Sequence, residues 1–296
     1  KAILNTCSHR GATLCRKKRG NKTSFTCPFH GWTFDPQGRC VDIPYANSIP
    51  DKAVHALKGW PVREMNGFIA LWYACDNEAP EDYLPEIPEW GQNGWGDWTV
   101  HRSRIRARPC DVIENIVDIA HFPHVHGGRV QSFENRFGER SVTQVSSVQG
   151  DPDTRMIIPP GVAFDIQAAR DDAGQGSDAW GDATYHGPSI MYYYTESRSP
   201  AVSFRSWWVN CHTPVGQDEV DLCSAVIVSS LTDTPLPPEF GDMYPQMAHI
   251  AFGQDVEIWK DKIYREDPIL CDGDGPINKL RRWYEQFYLP MENAGQ

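Results

Sequence analysis

The sequence predicts an α+β chain in two parts: a small antiparallel β domain, then a larger domain in which an antiparallel sheet is flanked by helices. Three observations predict it. Segments in both parts alternate or run apolar over strand lengths, as in "WPVREMNGFIALWYA" (60–74) and "AVSFRSWWVNCHTPV" (201–215). Two segments of the second part instead repeat apolar residues at helical spacing: "DVIENIVDIAHF" (111–122) and "YPQMAHIAFGQDVEIWKDKIYRED" (244–267). Between the parts runs "DNEAPEDYLPEIPEWGQNGWGD" (76–97), proline-rich, acidic and without period, which reads as a linker. The expected divisions are therefore 1–78, a linker at 79–100, and 101–296.

Taken in order, the first part opens on "KAILNT", a strand already in progress, so residues upstream of Lys1 are expected. In "TFDPQGRCVDIPY", Pro36-Gln37-Gly38 supplies a turn between short strands. The net charge of −11 argues against nucleic acid as a partner, and no apolar run reaches the length of a membrane span. Nine cysteines, an odd number without a disulfide rhythm, fit a reducing cytoplasm in which thiols pack or bind metal. Arg10, Arg16, Lys17, Lys18, Arg19 and Lys22 cluster between the first cysteines. They read either as a solvated hairpin or as a docking patch for an acidic redox partner.

That same stretch, "CSHRGATLCRKKRGNKTSFTCPFH", carries the first chemistry. Cys7-x-His9 and Cys27-x2-His30 stand seventeen residues apart, each half offering one thiolate and one imidazole. A Cys2His2 set can close a tetrahedral zinc site, but zinc fingers pair cysteine with cysteine and histidine with histidine. Mixed halves suit a two-iron cluster, in which two cysteines hold one iron and two histidines the other. Gly11 and Gly31 let the backbone turn tightly beside such a cluster.

"CSHRGA" and "CPFHGWTFDPQGRC" resemble the cluster loops of Rieske [2Fe–2S] proteins, in the form found in ring-hydroxylating oxygenases. The resemblance implies Cys7, His9, Cys27 and His30 as cluster ligands, with Trp32 covering the cluster. Cys15 falls outside the pattern and, like Cys40, is read as a packing thiol.

A Rieske cluster only moves electrons, so an acceptor is expected: a mononuclear Fe(II) held by two histidines and one carboxylate, with positions open for O2. In "DVIENIVDIAHFPHVHGG", Asn115, Asp118 and His121 recur every three residues along one stripe of a helix, which Pro123 ends or bends. Asn-x2-Asp-x2-His-x4-His resembles the oxygenase motif. It implies His121 and His126 as ligands, with Asn115 and Asp118 in catalytic support; the residues alone leave His124 open. The distant carboxylate is read as Asp255. Its neighbours Ala251, Phe252, Val256 and Ile258 are apolar, and a buried carboxylate needs a partner or a metal. Glu257, two residues on, is read as pointing elsewhere and exposed, and His249 as structural.

"FGQDVEIWKDK", "DPILCDGDGP" and "LRRWYEQFY" look like the C-terminal segment of bacterial 3-ketosteroid 9α-hydroxylase oxygenases, a group related to the cholesterol 7-desaturase type. "NCHTPV" (210–215) and Pro85–Trp90 fit the same group. The first cluster loop looks more like that of aromatic-acid dioxygenases, which keeps a ring dioxygenase or demethylase of the same family as the alternative. The aromatic strands "GPSIMYYYTES" and "AVSFRSWWVNCHTPV" read as walls of a large apolar cavity. Asn210, Phe252, Trp207 and Tyr192 are the expected substrate contacts, and Arg205 is the candidate clamp for a carboxylate.

The function expected is a terminal oxygenase acting on a bulky, apolar, steroid-like or polycyclic substrate. The resemblance further implies a separate reductase that draws electrons from NAD(P)H through flavin, and a homotrimer. In it Asp118 would bridge His121 to a cluster histidine of the neighbouring subunit. A Rieske-type electron carrier and a zinc-binding structural protein are the readings of other classes. The first leaves most of the chain unused.

Overall fold

The computed structural model describes residues 1–16, 20–55, 57–74, 84–150, 176, 178–199 and 202–288. Lys17, Lys18 and Arg19, the start of the expected linker and all of 151–175 lie outside these residues. The chain divides into two compact units, Lys1–Ile87 with Leu289–Gln296, and Pro88–Tyr288.

The first unit is built of short antiparallel pairs: β1 (Ala2–Ile3) with β5 (Gly59–Trp60), β2 (Phe25–Thr26) with β3 (Thr33–Phe34) and β4 (Cys40–Asp42), and β6 (Val62–Met65) with β7 (Phe68–Leu71). Helix α1 (Asp51–Val54) lies between β4 and β5 in the chain. The β6–β7 turn is Asn66-Gly67, both at positive φ (53° and 79°), as a tight hairpin turn requires. Asn66 does more than turn. Its Oδ1 accepts the N–H of Ile87 at 2.9 Å and its Nδ2 donates to the Pro85 carbonyl at 3.1 Å. The expected linker is thus partly anchored: Leu84 and Ile87 are buried. Within the second unit, Glu89 accepts from Trp207 Nε1 at 3.0 Å, and Trp95 lies under the Arg205 guanidinium at 5.2 Å.

The second unit is one seven-stranded antiparallel sheet in the order β8-β14-β13-β12-β11-β10-β9. These strands are β8 (Thr99–Ile105), β9 (Gly128–Phe137), β10 (Ser141–Gly150), β11 (Asp178–His186), β12 (Ile190–Arg198), β13 (Ser203–Pro214) and β14 (Val220–Ser230). Strands β9 to β14 form a meander, whereas β8 and β9, consecutive in sequence, occupy opposite edges. Their connection, residues 106–127, must therefore cross a face of the sheet. It contains α2 (Pro109–Glu114), a 3₁₀ turn (Asn115–Val117) and a π turn (Phe122–His126). The same face receives α3 (Pro238–Trp259) and α4 (Ile277–Tyr284). Phe240 and Tyr244 of α3 pack on Phe204, Trp259 joins the cluster of Val220 and Leu222, and Leu280 and Tyr284 of α4 close over Val142 and Tyr185.

An ionic cluster ties the crossing segment to its neighbours. Glu114 is 7 % exposed; its Oε1 accepts from Arg281 Nε at 2.7 Å and its Oε2 from Lys262 Nζ at 3.0 Å. Lys262 also reaches Asp111 at 3.0 Å. Removing Glu114 leaves Arg281 without its carboxylate and Lys262 with Asp111 alone, in partly buried surroundings. Glu114→Ala is expected to cost about 3 kcal/mol, the low end for buried pairs, because Lys262 keeps part of its side chain in water. An unchanged urea midpoint would show the cluster to be ornamental.

Candidate metal centres

The two cysteine loops of the first unit are built alike. The Cys7 carbonyl accepts from Gly11 N–H at 2.9 Å, and the Cys7 N–H donates to the Ala12 carbonyl at 2.8 Å. The Cys27 loop repeats both bonds, with Gly31 N–H at 3.0 Å and the Trp32 carbonyl at 2.7 Å. Gly11 and Gly31 have φ of 76° and 77°, the left-handed turn that glycine allows. At Gly31 a side chain would also strike Pro44, 2.8 Å from where its Cβ would stand.

These loops bring the four expected side chains together. Cys7 and Cys27 are each 2 % exposed, and the Cys7 thiol donates to the Cys27 sulfur. Burial pushes the Cys7 thiol up. Burial would raise Cys27 too, but the Phe29 amide, the Cys7 thiol, the His30 amide and the Arg16 charge bring it down. Beside them, the His9 and His30 rings meet edge to face at 4.9 Å. Two adjacent sulfurs and two adjacent imidazoles fit one iron of each kind in a [2Fe–2S] cluster. Trp32 stacks flat on His9 at 4.7 Å and donates to Tyr45 Oη at 2.7 Å, so it backs a histidine, not the sulfurs.

Cys15 is exposed, which corrects its reading as a packing thiol; its backbone is pinned to Asn5. Cys40 is buried in the core as expected. Cys15→Ser is accordingly expected to leave the visible absorption of the cluster unchanged, while Cys27→Ser bleaches it. Bleaching in both variants would reopen the assignment of ligands.

In the second unit, His121, His126 and Asp255 converge, with one potential ligand atom of each inside a 4.8 Å span. Asp255 Oδ1 lies 3.4 Å from His126 Nε2 and 3.9 Å from His121 Nε2. Among the described residues this is the one group of three whose ligand atoms all lie close enough together to hold a single ion. Two imidazoles and a carboxylate on one side of a point are the donor set of a facial triad, so the residues fit ferrous iron. Burial would lower the His126 imidazole, but the Asp255 carboxylate and the Gln254 amide reverse that and raise it.

Local backbone explains the convergence. The histidines are five residues apart, a spacing that an α-helix would splay. The π turn closes with Gly127 N–H on the Phe122 carbonyl at 2.9 Å, the i→i+5 bond that returns the fifth residue to the same side. Gly127 ends it at φ 72°. His124 is exposed and stands outside the triad.

The expected helical stripe through Asn115, Asp118 and His121 is not formed. Asp118 is extended (φ −88°, ψ 100°), so the helical turns end at Val117, short of the apolar pattern read over 111–122. Gly275, distant in sequence, packs against the break, so close that a Cβ there would stand 1.5 Å from the Val117 carbonyl oxygen. Half-buried Asn115 holds the turn through its carbonyl, which accepts Asp118 N–H at 3.3 Å. The break also changes what Asp118 does. Its main-chain carbonyl, not its carboxylate, takes the hydrogen bond from His121 Nδ1, at 2.7 Å against 3.7 Å. The Asp118 Oδ1 accepts from Ala120 N–H at 3.0 Å.

Strand parity sorts the expected substrate contacts. Phe204, Ser206 and Trp208 face α3, as their contacts with Tyr244 show, so Asn210 does too. Trp207 is an odd number of residues away and points to the other face, toward Glu89. Tyr192 pairs with Val209 and Thr184 on that same far face, against His186. Neither shares a surface with the triad, which corrects both expectations. Phe252 packs near Trp259, one turn before Asp255. Arg205 likewise lies on the far face over Trp95. Reasoning from sequence missed Tyr185, on the triad side near Asp255, and Gln254.

Residues 1–60 match the Rieske [2Fe-2S] domain, and residues 71–288 match the 3-ketosteroid 9α-hydroxylase C-terminal domain. The chain belongs to the 3-ketosteroid 9α-hydroxylase family of Rieske oxygenases. It is 34 % identical to a probable 3-ketosteroid-9-alpha-monooxygenase oxygenase component of Rhodococcus rhodochrous, over 97 % of this chain and 70 % of that protein. It is 32 % identical to the oxygenase component of Mycobacterium tuberculosis, over 98 % and 72 %. Cholesterol 7-desaturase nvd 1 of Ciona intestinalis is 29 % identical over 95 % of this chain and 59 % of its own. The fold is that of dicamba monooxygenase, with a TM-score of 0.68 at 18 % identity over 96 % of this chain and 84 % of that one. This 3-ketosteroid 9α-hydroxylase family member is thus a Rieske terminal oxygenase with a [2Fe–2S] cluster and Fe(II), served by a separate reductase. No helix among the described residues is long and apolar enough to cross a membrane.

Proposed function

We propose that this oxygenase hydroxylates a ring carbon of an uncharged steroid ketone, with Cys7, His9, Cys27 and His30 holding the cluster and His121, His126 and Asp255 the mononuclear iron. The observation that carries the substrate class is the placement of positive charge. Arg102, Arg104, Arg129, Arg136, Arg198 and Arg205, the arginines of the seven strands, all fall by register and alternation on the face away from the triad. An aromatic acid would need a cation on the triad face. That face instead offers Val142, Tyr185, Met191 and Leu222, with Asn210 among them. The Asn210 Oδ1 is buried without a hydrogen-bond partner among the described residues, so its amide is the proposed polar anchor, accepting or donating according to how it is turned. The names of the relatives support the same class.

When bound, ferrous iron supplies the means of activating O2 toward an unreactive C–H bond. The chain does the rest. Apolar side chains exclude water, Asn210 orients the substrate, and the hydrogen bonds on His121 and His126 hold two imidazoles to one geometry. Asp118, whose side chain is 36 % exposed, is the proposed contact with a cluster histidine of a neighbouring copy in a homotrimer. Asp118→Asn should keep both metal centres and slow single-turnover oxidation of the cluster at least tenfold. Cluster oxidation at the parent rate would remove Asp118 from the electron path.

The deciding experiment supplies a surrogate reductase and NADH, and compares 3-ketosteroids with benzoate-type acids. Oxygen uptake matched by hydroxylated steroid is expected. Turnover confined to the acids would overturn the substrate assignment.

A further inference from the structure

The two imidazoles of the triad are supported by different groups. His121 Nδ1 donates to the Asp118 main-chain carbonyl at 2.7 Å. His126 Nδ1 faces Gln254 Oε1 at 2.8 Å. A carbonyl or amide oxygen only accepts, so in both rings Nδ1 carries a proton, and Nε2, the nitrogen that faces Asp255, is the one left to bind a metal. Had the amide nitrogen of Gln254 faced the ring, Nδ1 would have to accept, and Nε2 would carry the proton.

Gln254 is 2 % exposed, the neighbour of Asp255 on α3, and fixed by a 22-residue helix rather than a loop. One rigid element therefore presents a carboxylate and, on the adjacent residue, the group that turns another ligand to face it. His126 leaves a π turn at the end of the crossing segment, where its own backbone offers it no such support.

We propose that Gln254 is a positioning residue for the mononuclear iron, fixing the tautomer and ring plane of His126. The inference rests on the reading that His121, His126 and Asp255 hold that iron.

The test uses protein that retains its cluster but has been stripped of mononuclear iron, titrated with Co(II) and followed by calorimetry and by the d–d absorption of the bound ion. Gln254→Leu, which keeps bulk without an acceptor, is expected to weaken Co(II) binding by about 10–100-fold and to alter the d–d bands. Gln254→Glu restores an acceptor oxygen and is expected to bind within about threefold of the parent. Cluster absorption should be the same in all. Parent-like Co(II) affinity in Gln254→Leu would overturn the inference, as would an equal loss in Gln254→Glu. Should the leucine variant fold poorly, Gln254→Met carries the same expectation. His126→Ala separates the two layers of the argument: if it binds Co(II) as the parent does, the triad assignment itself has failed.

Discussion

Asp255→Ala is expected to lose the mononuclear iron and to hydroxylate at below about one per cent of the parent rate, with cluster absorption intact. Losing a group that merely supports a ligand costs about 10–100-fold in metal affinity, and Asp255 is the anion of the set, so its loss should exceed that. The four cluster residues lie in the other compact unit, and their loops are closed by their own backbone bonds. Iron content, cluster spectrum and product yield on one preparation decide the matter. Full iron and full turnover would expel Asp255 from the triad.

Gly275→Ala should do comparable harm from a position with no metal chemistry. The new methyl would lie 1.5 Å from the Val117 carbonyl oxygen and 2.7 Å from its carbon, both backbone, so one chain must move. If the Val117–Asp118 peptide turns, the carbonyl that orients His121 leaves its place. A loss of about 2–3 kcal/mol in stability is expected, with weakened iron retention. Gly273→Ala is the control, since a Cβ there meets only Cys271 Sγ at 3.7 Å. If both variants unfold and bind iron alike, the close approach at Gly275 has no mechanical role.

How much of this was legible in the sequence differs from residue to residue. The convergence of the proposed metal ligands could be anticipated, because a cluster or an iron restricts residue type and spacing at once, and few other demands produce Cys-x-His with Cys-x2-His. Asp255 was legible as an acid in apolar company. The break at Asp118 was not: Ile113, Ile116 and Val117 keep helical spacing, and Gly275, the residue whose backbone packs against the break, lies far along the chain. Trp207 shows a different failure. An odd interval from Asn210 on one strand already forbids a shared face, so composition was weighed where alternation should have decided. Tyr192 needed the register of a second strand, which sequence alone does not provide. Gln254 left a faint signal: a neutral amide in the buried stripe of α3, beside the ligand acid.

The π turn between His121 and His126 sets a rule for how this segment can vary over generations. Its length and its shape are one property. Deleting a residue between the histidines would restore an α-helical interval, but only a rebuilt turn could then bring both rings to the same point. Adding one would push the second imidazole past it. His124, by contrast, is exposed and stands outside the triad. Insertions and deletions are therefore barred from this stretch, whereas a substitution at its exposed histidine leaves the length of the turn unchanged.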